Sequence, residues 1–512
     1  MRILQIVHGF PPESIAGTER YCEAVCAQLR SRGHTVTVFA GTGQPTAKAT
    51  TVTTEQDGLD VTRYYRAGGR DYGWMDGYDP EVEQALRSVL ASCRPDIVHV
   101  HHWHRLTNNL VAICADLSIP VVVTLHDVWT SCPRIHRIHR EGSFCREPLL
   151  TAPCLHCVER TQWQTDLEVA DALTLRQQMI EAELSLASAL IVPSEAHRSL
   201  LLQLLELPEN RLIVLPHGGL QTLMAQERRK ELPAFPSRPL QIGHWGYFLY
   251  HKGTHLLLEA LHRLDDPSAV QVHLIGTALE QAYGERLRAL ACGLSVQFHG
   301  AYQPADLQAF DLDIAVFPSI TSESYSFTID EALRLGLPVL VSDRGALPER
   351  IGKAGLTFRA GDTEDLARRL QGILDAPEVL ESMRRNIRLE ILLSMDAHVA
   401  MLEKIYEDAI CWNPPRLKAS TPYLKLLAHA KQQIQERDAA LSAVHANLAR
   451  AEQGISLLRA RESSLESRVA GLDVEASRYR ETLEAILSST FWKLTTPIRW
   501  LRHPIRALLG KD

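Results

Sequence analysis

The sequence predicts an α/β protein made of two doubly wound parallel-sheet domains, followed by a C-terminal coiled coil. Three observations carry this reading. Over residues 1–230, short β-branched runs alternate with amphipathic helical stretches, the pattern of a mostly parallel sheet with helical crossovers. After the Pro-rich stretch 232–239 (LPAFPSRP) the same rhythm restarts at residue 240, so this stretch reads as a linker. From 427 to 486, apolar residues recur in a single heptad phase, which is the seam of a coiled coil.

Strands are expected in the first domain at 2–7, 35–40, 97–100, 121–125, 190–192 and 212–215, with helices such as 18–32 and 81–92 between them. The second domain is expected to carry strands at 240–242, 270–275, 296–298, 314–317 and 338–341. In such sheets ligands bind in the crevice at the carboxyl ends of the strands. The boundaries follow as 1–230, a linker at 231–239, 240–395, a closing helix at 396–412, a coiled coil at 420–490 and a tail at 491–512. In the coiled coil, Leu427, Ile434, Leu441, Leu448 and Ile455 occupy one seam position. Val444, Ala451, Leu458, Leu465, Leu472, Tyr479 and Ile486 occupy the other, and Arg437 and Glu462 are the charged seam positions. A long helix folded back on the globular part is the alternative, but it would show a wider apolar face. The tail mixes Phe491, Trp492, Trp500 and leucines with Lys493, Arg499, Arg502, Arg506 and Lys511, a composition suited to a membrane interface. Pro497 and Pro504 break it into short pieces. A cap on the coiled coil or a partner-docking tail is the competing reading.

With 512 residues, 45% of them hydrophobic and 22% charged, the chain can bury large cores over two to four domains. A formal net charge of −7 excludes bulk attraction to nucleic acid. Cys22, Cys26, Cys93, Cys114, Cys292 and Cys411 are scattered in apolar or helical surroundings, as in a reducing cytoplasm. The opening apolar run is short, meets Pro11 and Pro12 and lacks a small-residue cleavage site, so it reads as a first strand and not a signal peptide. No run approaches the ~18 apolar residues of a membrane span. The expectation is a cytoplasmic homo-oligomer, held through its tail as a peripheral protein on the inner face of the cytoplasmic membrane.

Four stretches carry chemistry. The first strand ends at His8-Gly9 and leads through Ala16-Gly17 into a helix, where backbone can approach a phosphate at a helix amino-terminus. His126 follows the strand at 121–125, placed to donate a hydrogen bond to a sugar hydroxyl or phosphate. The second domain opens with Ile242-Gly243-His244-Trp245-Gly246-Tyr247, then Lys252-Gly253; the lysine can hold a diphosphate as a point charge. The richest stretch runs from Phe317 through Glu323, Ser326, Phe327, Thr328, Glu331, Ala332 and Gly336 to Pro338. A helix beginning near Phe327, with Ser326 in reach as N-cap, places two carboxylates around free backbone N–H groups. Each carboxylate can accept hydrogen bonds from a pair of vicinal hydroxyls, one on a hexose and one on a ribose.

This Glu-x7-Glu pattern, with Ala332, Gly336 and Pro338 at their offsets, resembles the retaining GT-B glycosyltransferases of group 1, or family 4. Residues 11–17, 124–127, 216–218 and Lys252-Gly253 resemble that family in order, and the likeness covers roughly 1–410. It implies two Rossmann-like domains facing across a cleft, the first on the acceptor side and the second binding the nucleotide sugar. It implies hexosyl transfer from a nucleotide-diphosphate sugar to a glycan or lipid-linked acceptor, in cell-surface polysaccharide or lipopolysaccharide synthesis, with no cofactor required for catalysis. By resemblance Glu323 binds donor-sugar hydroxyls and Glu331 the ribose. Backbone N–H groups at Ser326, Phe327 and Thr328 contact sugar or phosphate. Lys252 and Gly17 stabilise the leaving diphosphate, Gly243 belongs to the donor site, and His126 lies near the reacting sugar. The family's Arg five residues before the lysine is Tyr247 here, and its glycine pair is Ala16-Gly17. A scaffold that has lost activity and a nucleotide-sugar 2-epimerase are the alternatives; Glu-x7-Glu argues against the second.

Cys132, Cys145, Cys154 and Cys157 form C-x12-C-x8-C-x2-C beside His136, His139 and His156. The spacing fits a structural zinc site, with a disulfide pair or free thiols as alternatives. His99, His101, His102 and His104 resemble a metal box, but strand alternation sends neighbours to opposite faces, so they read as core or cleft-lining residues.

Overall fold

The computed structural model describes residues 1–44, 46–67, 74–75, 77–149, 151–160, 164–220, 237–411 and 421–489. The chain divides into two compact units, Met1–Thr421 and Pro422–Asp512. The first unit begins β1 (Arg2–Val7), α1 (Gly17–Ser31), β2 (Thr35–Gly41), β3 (Thr50–Gln56), β4 (Leu59–Tyr65), α2 (Pro80–Cys93) and β5 (Ile97–Val100). It continues α3 (Leu110–Asp116), β6 (Val121–Thr124), α4 (Thr151–Cys154), α5 (Asp166–Leu186), β7 (Ala189–Val192), α6 (Glu195–Leu204) and β8 (Leu212–Val214). Next come β9 (Leu240–Phe248), α7 (Thr254–Leu261), β10 (Val270–Ala278), α8 (Gln281–Leu290), β11 (Val296–Gly300) and β12 (Ile314–Phe317). It ends with α9 (Phe327–Arg334), β13 (Val339–Ser342), α10 (Leu347–Ile351), β14 (Gly355–Phe358), α11 (Thr363–Asp375), α12 (Glu378–Arg385) and α13 (Met395–Cys411).

These strands make two sheets, ordered β3-β4-β2-β1-β5-β6-β7-β8 and β11-β10-β9-β12-β13-β14. All neighbours run parallel except β3 with β4. β5, β6, β7, β12 and β13 are buried at every residue, because helices cover both faces of a parallel sheet. Strand order reverses beside β1 in one sheet and beside β9 in the other, and the crevices at these switch points hold ligands in open α/β sheets. The β3–β4 hairpin was not expected. Its first strand is exposed along nearly its whole length, so it carries no apolar alternation. It turns through Asp57 and Gly58 at φ 50° and 72°, the backbone twist that an Asp-Gly hairpin turn requires.

The chain then crosses back. Val399, Leu402, Tyr406 and Ala409 of α13 are buried in one core with Ile3 and Val7 of β1 and Cys22 and Val25 of α1. At its rim, Arg32 bonds Asp396 at 2.8 Å and Glu403 at 3.0 Å, and His34 meets Glu403 at 2.7 Å. The last helix of the unit therefore packs on the first domain, although it follows the second in sequence. The linker expectation lies mostly outside the described residues, but Arg238 anchors its end on Asp313 at 2.6 and 2.9 Å.

The second unit contains one unbroken helix, α14 (Thr421–Ser488), of 68 residues, about 100 Å long at ~1.5 Å rise per residue. The expected basic aromatic tail at 491–512 lies outside the described residues. Among the described residues, no helix is long and apolar enough to cross a membrane.

Truncating Leu402 to alanine opens a cavity between α13 and the first sheet. Leu402→Ala is expected to destabilise the first unit by about 2–5 kcal/mol, read as a lower urea midpoint; an unchanged midpoint would contradict this docking.

Candidate active site

The candidate side chains converge where parallel strands give way to loops. Lys252 sits in the turn after β9, and its Nζ lies 2.8 and 3.0 Å from the two carboxylate oxygens of Glu323, in the loop after β12. The turn closes this tightly because of Gly253. Its φ is +73°, and a Cβ there would lie 1.9 Å from the Pro318 carbonyl oxygen, so only glycine fits. The Ser319 hydroxyl also donates to Glu323. Burial alone pushes the Glu323 carboxyl pKa up, but Lys252, then Ser319 and His136, outweigh it and hold the group below the usual carboxylate range. An ammonium has three donors; two meet Glu323 and one remains for a ligand.

Ser326 occupies the N-cap position of α9 but makes no capping bond; its Oγ meets Thr328 Oγ1 at 3.0 Å instead. Its φ of 94° is a left-handed conformation costing a serine about 1–3 kcal/mol, the kind of strain that gathers at ligand sites. The first-turn N–H groups of α9 are thus left to a ligand. Gly17 opens α1 in the same way, after Ala16, which has no side chain to cap with. A Cβ on Gly17 would lie 3.7 Å from the Phe327 ring, so the starts of α1 and α9 face each other across the cleft. Tyr247, where the family has arginine, donates to the Ile15 carbonyl at 3.0 Å and ties the two domains beside Gly17.

Glu331 lies one turn into α9 and accepts from Trp245 Nε1 at 2.8 Å. Burial pushes its pKa up to about 7; Trp245 and Arg20 oppose the rise and Asp330 adds to it. Beneath the loop, Asp330 is paired with Arg350 and accepts from Tyr325 Oη at 2.9 Å. Gly243 does not reach the cleft. It pairs within β9 with His273 and Ala315, and a Cβ there would meet Leu312 at 2.5 Å and Trp245 at 2.9 Å, so its role is packing. Gly246, three residues on, has φ 113° with Thr328 3.8 Å from its Cβ position.

His126 ends a hydrogen-bonded relay. Gln5 Nε2 donates to Tyr406 Oη at 3.3 Å, leaving Gln5 Oε1 to accept from His101 Nε2 at 2.7 Å. Burial and neighbouring histidines hold His101 neutral, so its Nδ1 accepts from His126 Nε2 at 3.0 Å. His126 is itself neutral, through burial and then His101. Its proton is therefore committed to the protein, and Nδ1 is an acceptor. The expectation from the sequence is a donor to a sugar hydroxyl or a phosphate; in this hydrogen-bonding arrangement the ring presents an acceptor instead. His217, missed in the sequence, stacks on Phe327 at 5.6 Å and lies 5.0 Å from the His126 ring.

The histidine run behaves as core: His99 bonds Tyr406 at 2.7 Å and Thr124 at 2.8 Å, and His102 faces Asp127 at 3.5 Å. Cys132, Cys145, Cys154 and Cys157 are free thiols, and no set of three or more His, Cys, Asp or Glu among the described residues is arranged to hold a metal. The zinc expectation is not carried by this geometry. Arginines shape the loop instead: Arg137 donates to the carbonyls of Ser131, Cys145 and Glu147, and Arg134 to those of Ile138 and Cys157. The loop straps the two domains together, with His136 stacked on His251 at 3.7 Å and its carbonyl accepting from Thr321 Oγ1 at 2.8 Å.

Glu331 makes a pH prediction. Its folded pKa of about 7 exceeds the ordinary 4.5, so the folded state holds its proton longer and loses stability as pH rises through that window. Glu331→Gln is expected to remove this loss, giving a urea midpoint that declines less than wild type from about pH 5 to about pH 8. Equal declines would contradict the burial.

Residues 15–218 match the model of Glycosyltransferase Family 4, and residues 239–376 that of Glycosyl transferases group 1. Sulfoquinovosyl transferase SQD2 of Arabidopsis thaliana is 26% identical over 59% of this chain, which spans about half of that protein (54%). MMP alpha-(1->4)-mannosyltransferase of Mycolicibacterium hassiacum is 26% identical over 66% of this chain and 77% of its own. Among solved structures, sucrose-phosphate synthase of Thermosynechococcus elongatus superposes with a TM-score of 0.57 at 18% identity, over 80% of this chain and 100% of that one. Anabaena HepE in complex with UDP and glucose gives 0.54 at 18%, over 80% and 99%. Two facing Rossmann-like domains, the paired acidic residues at α9 and both family matches lead to one conclusion: the chain is a GT-B glycosyltransferase and belongs to the group 1, family 4 glycosyltransferases.

Proposed function

We propose that this enzyme transfers a hexosyl residue, with retention, from a nucleoside-diphosphate sugar to a glycan or lipid-linked acceptor. The observation that carries this is the Lys252–Glu323 pair beside the uncapped starts of α1 and α9. Two helix amino-termini and one ammonium suit a diphosphate; Glu323 and Glu331 suit the hydroxyls at its two ends. The complexes of HepE with UDP, with UDP and glucose and with UDP-glucose support a uridine nucleotide as the first donor to test.

In this reading the C1–O bond to the diphosphate breaks as the acceptor oxygen bonds C1 from the same face. The acceptor proton passes to the departing phosphate oxygen. Lys252 and the N–H groups at Gly17 and Ser326–Thr328 meet the charge that grows on the phosphate, where preorganised donors lower the barrier most. His126 Nδ1 accepts from a hydroxyl of the transferred sugar and fixes its orientation. The crystal structure of WaaG, a glycosyltransferase involved in lipopolysaccharide biosynthesis, supports a cell-surface glycan or lipid-linked acceptor. The composition of 491–512 supports peripheral attachment to a membrane, and the heptad seam of α14 supports a homo-oligomer.

The test is transfer or hydrolysis with a panel of UDP-, GDP- and ADP-sugars, monitored by nucleotide release. One donor is expected to stand out. On it, Lys252→Ala and Glu323→Gln are each expected to lower kcat/KM by about a hundredfold or more. Full activity in either variant would remove that residue from the reaction.

A further inference from the structure

The seam of α14 is an unpartnered apolar face: Leu458 and Leu472 are 66% and 63% exposed. A shallow groove runs along it, lined by Leu458, Leu465 and Val469 and flanked by Arg461, Glu466 and Asp473. Apolar residues flanked by alternating charges are what a coiled-coil partner reads.

The flanking charges choose the orientation. With Leu427 at heptad position a, Arg461, Arg468 and Glu475 fall at g, and Glu466, Asp473 and Arg480 fall at e. In a parallel, in-register pair each g residue faces the e residue five positions further on in the other strand. The three consecutive pairs are then Arg461 with Glu466, Arg468 with Asp473 and Glu475 with Arg480. All three are opposite in sign, and symmetry makes each twice. Antiparallel pairing sets g against g and e against e. Centred on this stretch, that arrangement opposes Arg468 to Arg468 and Glu466 to Glu466, whereas the three parallel pairs include no like-charge contact. Strand number follows from the seam: Ile455 and Val469 at a are each followed by leucine at d, Leu458 and Leu472, the combination that favours two strands. Glu462 at a sits in a hole that includes the g residue just before it in the other strand, Arg461, so that its charge is met.

We propose that residues 441–486 pair with a second copy of this chain as a parallel, in-register, two-stranded coiled coil. This rests on the homo-oligomer reading above and deepens it; it is independent of sugar transfer. Because the strands are parallel, both copies' sequence beyond residue 489 starts from the same end of the rod.

The test uses full-length chain and sedimentation equilibrium. One variant carries Arg461→Glu with Arg468→Glu, the other Glu466→Arg with Asp473→Arg. Wild type is expected to be two chains. Each variant alone is expected to raise the dimer dissociation constant about tenfold or more, and an exchanged equimolar mixture to restore it. A wild-type dimer that neither variant weakens would overturn the parallel register while leaving self-association intact. A monomeric wild type would overturn both, and a trimer or tetramer would overturn the two-stranded assignment.

Discussion

The ion pair between Lys252 and Glu323 is the constraint on which the rest of the cleft depends. A carboxylate as buried as Glu323 is costly without a partner, and Lys252 supplies one at 2.8 Å from the neighbouring strand's loop. The pairing requires the β9 and β12 loops to touch, which Gly253 permits. It also fixes the backbone after β12: the Glu323 carbonyl accepts from Ala346 N at 2.8 Å, and the loop is driven through the left-handed Ser326 into α9. These constraints leave the cleft shaped for a ligand. The amino-terminus of α9 is uncapped, and Glu331 is one turn further in against Trp245. In the proposed reading, a diphosphate arriving at Lys252 competes with Glu323 for the ammonium and leaves the carboxylate able to accept from sugar hydroxyls.

The two domains meet through side chains that bond the opposite backbone. Tyr247 bonds the Ile15 carbonyl, Ser324 the His126 carbonyl and Tyr325 the His217 carbonyl. From the other side Ser194 bonds the Ser324 carbonyl, and Glu349 accepts from the first N–H groups of α6. Such bonds are each worth about 0.5–1.5 kcal/mol net, so this polar interface suits a cleft that opens and closes around substrate. The loop carrying the four cysteines belongs to the same set of contacts. Its His136 stacks on the residue beside Lys252 and lowers the Glu323 pKa. The α13 helix extends the dependence inward, because Tyr406 is a link in the relay that sets the tautomer of His126.

The features legible in the sequence were those that burial or spacing imposes. The fully buried strands from β5 to β7 announce themselves as β-branched runs, and Glu-x7-Glu places two carboxylates at one helix start whatever surrounds them. The heptad phase along α14 could be read because a seam repeats. Other features were illegible because tertiary contacts decide them. Exposed β3 has no apolar pattern, and only Asp57-Gly58 marks its turn. Gly243 and Gly246 look alike in a strand-ending run, and only the packing of Leu312 and Trp245 separates a glycine of the core from one at the cleft. The direction of the His126 hydrogen bond is set by Gln5 and Tyr406, hundreds of residues apart. The four cysteines have the spacing of a zinc site, and the spacing does not announce that buried Arg137 and half-buried Arg134 bind the carbonyls of that loop.

Calorimetric titration with UDP and with a UDP-sugar, against wild type, Lys252→Ala and Glu323→Gln, tests the central claim most directly. If Lys252 holds the diphosphate and Glu323 the sugar, Lys252→Ala weakens both ligands. Glu323→Gln then leaves UDP as tight as before or tighter, because the ammonium is released, and removes the affinity that the sugar adds. Equal loss of UDP binding in both variants, or unchanged binding in Lys252→Ala, would contradict the account.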